Sequence, residues 1–242
     1  MVFSEQPIYR RILLKLSGES LIGEQRFGID QAACQEIATS IQEVYALGVQ
    51  IGLVIGGGNI FRGNMAESFG FSRTPADHIG MLATSINGLV LQQSLARLGV
   101  KSRVMSAFTM DPIIESYHWG KAMQYLQEGL VVIFVGGTGN PYFTTDSAAA
   151  LRASEIEAEV LLKGTKVDGI FSEDPIRNKE AKRFDSLTYS DVLTRNLQVM
   201  DGAAVALCRE NKIPICVFNL FAKGAMVKAV CGKKTGTLVR GD

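Results

Sequence analysis

Short, almost wholly apolar runs rich in β-branched residues recur along this chain, separated by longer stretches whose apolar residues return at helical spacing. Residues 11–16, 49–55, 101–105, 130–135, 160–163 and 213–218 read as strands. Residues 30–47 place Ile37, Ile41, Val44 and Leu47 on one helical face, with Asp30 positioned to cap the start. Residues 77–98 repeat the pattern through Ile79, Leu82, Ile86, Leu89 and Val90, and Asp77 reads as the cap of that helix. Strand and helix alternating in this way predict an α/β protein. Its mostly parallel open sheet is covered by helices on both faces, a three-layer sandwich.

At 242 residues the chain is long enough for one large domain or two small ones. No low-complexity linker divides it. Residues 168–185, where Gly, Asp, Pro, Asn and Lys gather, read as a surface excursion within one fold. Apolar residues at 47% and charged residues at 20% are the balance of a globular protein. A formal net charge of +1 supplies no general basic field, so neither nucleic acid nor an anionic membrane is expected as a partner. No apolar run approaches the roughly 20 residues needed to cross a bilayer. Cys34, Cys208, Cys216 and Cys231 form no C-x-x-C pair, and His78 and His118 lie near none of them, so no metal centre is expected. They read as free thiols in a reducing cytosol. The first seven residues lack the basic and apolar regions of a signal peptide, and the expected location is cytoplasmic.

The unusual residues cluster where the strands end. The first run closes in Lys15-Leu16-Ser17-Gly18, the second in Gly56-Gly57-Gly58-Asn59, the fourth in Gly136-Gly137-Thr138-Gly139-Asn140. In an open parallel sheet, ligands bind at the carboxyl ends of strands. Glycines there allow backbone amides to point at one anion. Such loops with a lysine suit a multiply phosphorylated ligand. The chain has no G-x-x-x-x-G-K-[ST], no complete G-x-G-x-x-G, and neither H-R-D nor D-F-G. A different phosphotransferase architecture is required.

These loops, in this order, resemble the amino-acid kinase family, and within it the bacterial uridylate kinases, over nearly the whole chain. The resemblance is carried by Lys15-Leu-Ser-Gly-Glu, Ile55-Gly-Gly-Gly-Asn-Ile-Phe-Arg-Gly and Asp77-His-Ile-Gly-Met-Leu-Ala-Thr. Gly137-Thr-Gly-Asn-Pro-Tyr-Phe-Thr-Thr-Asp and Lys163-Gly-Thr-Lys-Val-Asp-Gly-Ile-Phe complete it. It implies a single domain over residues 1–242, with an acceptor-nucleotide half near 1–160 and an ATP half near 161–242. The implied reaction is transfer of a phosphoryl group from ATP to UMP, with Mg2+ carried on the ATP phosphates.

The family pattern sets the ATP phosphates against Lys15, Leu16, Ser17, Gly18 and Gly58. Lys15 is then catalytic, a compact charge that follows the moving phosphoryl group. Arg62 offers a planar fork of donors to a phosphate of ATP or of UMP. Thr165, Phe171 and Asp174 fall on nucleotide positions of the ATP half. Relatives often carry tyrosine in place of Phe171, so ring packing survives while a phenol hydrogen bond is lost. UMP is assigned to Gly57, Asp77 and the run Thr138, Gly139, Asn140, Pro141, Tyr142, Phe143, Thr144 and Thr145. Thr144, Thr145 and Asp146 begin a further helix whose amides favour anions. An aspartate beside two phosphates repels them unless it organises lysines or a metal-bound water, and Asp146 is assigned that catalytic role.

The second pKa of a phosphate monoester is about 6, so UMP brings its own anionic nucleophile and no general base is needed. Relatives assemble as hexamers, and some respond to GTP and UTP. The loop Gly23, Glu24, Gln25, Arg26, Phe27, Gly28 matches the region linked to GTP activation. Arg103 and Trp119 match effector positions, whereas Gln92 and Ala96 stand where some relatives carry basic residues. Two rival readings are a kinase of the same family acting on a carboxylate and a catalytically silent nucleotide sensor. The first would lack the G-T-G-N-P-x-x-T-T-D string; the second would not be expected to retain Lys15, Asp146 and Asp174.

Overall fold

The first apolar run forms β1 (Arg11–Leu16), fifth in a sheet of nine strands among the described residues. The computed structural model describes residues 6–241 apart from 176, 179 and 198, so the first five residues of the N-terminal stretch read above lie outside it. The other strands are β2 (Gln50–Ile55), β3 (Ser102–Ser106), β4 (Glu115–Ser116), β5 (Val131–Val135), β6 (Val160–Thr165), β7 (Ser186–Thr188), β8 (Ile215–Asn219) and β9 (Thr237–Arg240). The helices are α1 (Gln31–Tyr45), α2 (Gly63–Ser68), α3 (Arg73–Arg97), α4 (Trp119–Gln127), α5 (Thr145–Glu155), α6 (Tyr189–Thr194), α7 (Gly202–Glu210) and α8 (Ala225–Val230).

The strand order is β4-β3-β5-β2-β1-β6-β8-β9-β7. Every neighbouring pair is parallel except β8 with β9. Strands made before residue 160 therefore lie on one side of the β1–β6 boundary, and those made after it on the other. The direction of winding changes there, and a crevice opens at the carboxyl ends of β1 and β6.

Side chains alternate across the sheet. Ile12, Leu14 and Leu16 join Ile37 and Ile41 of α1, Leu91 of α3 and Val230 of α8 in one core. Leu13 joins Ala149 of α5, Leu126 of α4 and Val205 of α7 in the other. All four β1 aliphatics are wholly buried, each contributing roughly 1.5–3 kcal/mol of hydrophobic burial. This is why the runs show no polar alternation. Lys15 shares the face of Leu13 and so points toward α5. The buried thiols of Cys208 and Cys216 are pushed by burial up to about 12 and about 11, which leaves them as inert packing. Among the described residues no helix is long and apolar enough to cross a membrane.

Three features depart from the sequence reading. Helix α3 begins at Arg73 after Ser72, so Asp77 lies inside it and does not cap it. Pro75 sits in the first turn, where a missing N–H costs nothing, and the apolar period that starts at Ile79 comes too late to mark this start. In addition, Leu82 and Ile86 are each 48% exposed, while Ala83, Thr84, Asn87 and Gly88 face inward. The buried face of α3 beside the strand ends is small and polar. Strands β4, β7 and β9 are short and were not expected, and the excursion after β6 returns to the sheet through β7, which pairs with β9.

Close packing explains Gly88: a Cβ there would stand 2.4 Å from Val135 Cγ1. Gly88→Ala gains helix propensity but overpacks the interface, and we expect it to lower stability by about 1–3 kcal/mol in denaturant titration.

Candidate active site

The parallel register sets Lys15 of β1 directly beside Lys163 of β6. Adjacent strands are about 4.8 Å apart, so two ammonium groups would repel each other on one face. Asp146, in the first turn of α5, separates them: its Oδ1 lies 2.7 Å from Lys15 Nζ and its Oδ2 2.9 Å from Lys163 Nζ. Lys163 Nζ also donates to the Val199 carbonyl. All three side chains are at least 85% buried, since their exposures are 9%, 15% and 14%. Burial by itself would push the Asp146 carboxyl up, but the charges of Lys15 and Lys163 outweigh it and hold the group below the usual carboxylate range. Burial, with Lys15 adding to it and Asp146 opposing, draws Lys163 below the ordinary lysine value. The cluster keeps one net positive charge.

Thr144 caps α5, accepting from the amides of Asp146 at 3.0 Å and Ser147 at 3.4 Å, so the helix opens toward the crevice. Asp201 caps α7 through Ala204 N at 2.7 Å, accepts from the Thr144 hydroxyl, and accepts from Ser147 Oγ at 3.0 Å. One carboxylate thus ties the starts of two helices together.

A cleft of about 730 Å³ lies beside this cluster, lined among others by Gly57, Gly58, Arg62, Asp77, Phe143 and Thr145. That is ample for a small-molecule ligand. Arg62 is held at its mouth by Gly58 O at 2.8 Å and Glu19 at 3.1 Å. Asp77 accepts from Tyr142 N at 2.7 Å and pairs with Arg73 at 2.8 Å. Tyr142 has φ 74°, a left-handed conformation costly for a bulky residue, and Arg73 stacks 5.5 Å from its ring. Asp77 and Arg73 together pin the acceptor loop to the wall of the cleft.

The remaining expected residues fall as follows. Leu16, Ser17 and Gly18 follow Lys15 into a short 3-10 turn that Ser17 caps. Thr138 and Asn140 hydrogen-bond each other within their own turn, with Gly139 at φ 81° and Pro141 next to it. Thr165, Phe171 and Asp174 do not line the cleft; Thr165 ends β6 and the other two follow it, on the side of the later strands. Thr165 Oγ1 donates to Val167 O at 2.7 Å, Phe171 bridges to Arg183, and Asp174 lies 3.5 Å from Arg177. In the loop from Gly23 through Glu24, Gln25, Arg26 and Phe27 to Gly28, Phe27 is exposed and Gly28 N donates to Asn59 O at 2.8 Å. Arg103 with Gln92, Ala96 and Lys101 lines a separate cavity of about 500 Å³, while Trp119 begins α4 and donates to Glu155 O at 2.6 Å.

Sequence reading gave no role to Lys163, Asp201 or Arg73. A signal for Lys163 existed: like Lys15, it is a lysine closing an apolar run. Asp201 becomes visible only once α5 and α7 are packed.

Two lysines bridged by a buried carboxylate, glycine loops and a helix start at a sheet crossover make an anion-receptive crevice suited to phosphoryl transfer, as in kinases. A family model described as the amino acid kinase family matches residues 10–219, and the chain belongs to that family. Within it, the uridylate kinase of Protochlamydia amoebophila is 63% identical over 211 residues, covering 87% of this chain and 84% of that protein. The uridylate kinase of Brucella anthropi is 56% identical over 236 residues, with 98% of each chain covered. Among solved structures, UMP kinase from Bacillus anthracis superposes with a TM-score of 0.94 at 40% identity, covering 97% of each chain.

Replacing Asp146 by Asn leaves two buried ammonium groups without a counter-charge. We expect Asp146→Asn to lower stability at pH 7 by about 3 kcal/mol in chemical denaturation. The folded carboxyl lies low, so its contribution is present above the unfolded value near ~3.9 and lost as pH falls through the folded one. The gap between the native protein and the variant should therefore narrow below about pH 4.

Proposed function

We propose that this chain is a UMP kinase, transferring the γ-phosphoryl group of ATP directly to the phosphate of UMP to give UDP. The observation that carries the reading is the Lys15–Asp146–Lys163 bridge, set between the cleft and the segment that follows β6. The relatives named uridylate kinase support the choice of acceptor.

UMP occupies the cleft, its ribose against Asp77 and its phosphate turned toward Gly57 and the start of α5. Arg62 lines that same cleft, which favours the acceptor phosphate as its partner. ATP lies across the β1–β6 boundary, with its phosphates against Lys15, Ser17, Gly18 and Gly58 and its base toward Thr165, Phe171 and Asp174. The phosphate of UMP attacks as an anion, and no side chain need take a proton. Lys15 and Lys163 stabilise charge on the moving phosphoryl group, while Asp146 holds both ammonium groups in place before substrate arrives.

Mg2+ would supply further charge neutralisation on ATP. Both oxygens of Asp146 face ammonium groups, and Asp201 is bonded to Thr144, Ser147 and Ala204. These residues fit an ion held by ATP oxygens and water. A homohexamer, GTP and UTP as effectors through residues 23–28, Arg103 and Trp119, and a cytoplasmic location complete the reading on the family pattern. A silent sensor has nothing in its favour, since the charge cluster is intact.

A coupled ADP-release assay with UMP, CMP, AMP and GMP tests the function; turnover with none of them removes it. Lys15→Ala is expected to lower kcat by about 100-fold or more. The pH profile of kcat/KM for UMP should rise with the second phosphate ionisation near ~6. Lys163 loses its proton below the ordinary lysine value, so activity should decline on the alkaline side before pH reaches 10.5.

A further inference from the structure

The inward face of α3 carries hydrogen-bonding groups where it passes the glycine loops. Thr84 and Asn87 are three residues apart on one helical face, 3% and 0% exposed. Thr84 Oγ1 accepts the amide hydrogen of Gly136 at 2.7 Å and donates to Met81 O at 2.7 Å. Asn87 Nδ2 donates to Gly56 O at 2.7 Å and to Asn59 Oδ1 at 2.7 Å. Asn59, 1% exposed, returns a bond from Nδ2 to Asn87 Oδ1 at 2.9 Å and gives a second to Gly28 O at 3.0 Å.

Gly56 and Gly136 each stand one residue beyond a strand, where the backbone leaves the ladder. Their polar groups lie too deep for solvent, so helix side chains replace the lost strand partners. The loops also press on these groups directly. A Cβ on Gly57 would meet Gly80 O at 2.7 Å and Ala83 Cβ at 2.8 Å; one on Gly18 would meet Asn59 Oδ1 at 2.5 Å. The loops at Gly56 and Gly136 are therefore each bonded by a side chain of α3, and Gly18 packs against Asn59; none of these groups enters the Lys15–Asp146–Lys163 bridge.

We propose that Thr84 and the Asn59–Asn87 amide pair are positioning residues for phosphoryl transfer, a role that rests on the function proposed above. Thr84 sets the depth of the loop that begins at Gly136 and carries the acceptor. The amide pair sets the loop at Gly56, which faces both nucleotides. A fit of this kind acts on binding geometry, where a displacement of about 1 Å is costly.

The test compares variants by separate KM values for UMP and ATP. Thr84→Val keeps the shape but leaves the Gly136 amide without its acceptor, and the expected result is a rise of about tenfold in KM for UMP, with KM for ATP within about twofold. Thr84→Ser restores the hydroxyl and is expected to recover most of that loss. Asn59→Ala should raise both KM values about tenfold, because its loop serves both substrates. Should Thr84→Val not fold, Thr84→Ala, with room for a water, takes its place in the same comparison. Equal rises in both constants for the Thr84 variant overturn the proposal. So does a fall in melting temperature with both KM values unchanged. Native protein that releases no ADP with UMP overturns the function itself, whereas native turnover with the wrong pattern among variants overturns only the positioning role.

Discussion

The site depends on a carboxylate placed between two lysines that the strand register has already forced together. Backbone pairing of β1 with β6 puts residues 15 and 163 side by side, and without Asp146 that register would bury two like charges in contact. The repulsion is turned to use because the third charge comes from a separate element. Helix α5 must dock with its start at the strand ends for the repulsion between the lysines to be relieved, so electrostatics and docking specify each other. The alanines at 148, 149, 150 and 153 let that helix lie close to the sheet.

Helix α3 plays the matching part on the opposite face. Its inward residues are small or polar beside the strand ends and become aliphatic at Leu91 and Leu95 farther along. One helix thus supplies hydrogen-bond partners at the crevice and hydrophobic packing away from it. The acceptor loop is also braced against its first turns: the left-handed Tyr142 is held by Asp77 and covered by Arg73. Strain of this kind persists only where surroundings over-determine it, which is why it sits at the cleft and not in an outer turn.

Much of the architecture could be read from the sequence because parallel strands buried on both faces leave uninterrupted apolar runs. Residues 11–16 match β1, and five other runs fall within a few residues of strands. The glycine strings pointed to the strand ends whose Gly57, Gly58 and Gly137 line the cleft, for an equally direct reason, since close backbone approach demands them. What could not be read has no local signature. Strands β4, β7 and β9 are too short to show a period. The start of α3 is polar, and its buried face carries Thr84 and Asn87, which a hydrophobic pattern treats as surface. Lys163 and Asp201 acquire their surroundings from strands and helices distant in sequence.

Strand β9 lies between β8 and β7, antiparallel to one and parallel to the other. Its Thr237 hydroxyl accepts from Ile170 N at 2.9 Å and donates to Phe184 O, the two ends of the excursion that follows β6. In the sheet β7 has β9 as its neighbour and ends the order. As the chain leaves the ribosome, β7 therefore lacks its neighbour in the sheet until residues 237–240 have been made. The side of the crevice built before residue 160 can thus assemble ahead of the other, which residues 237–240 fasten in place.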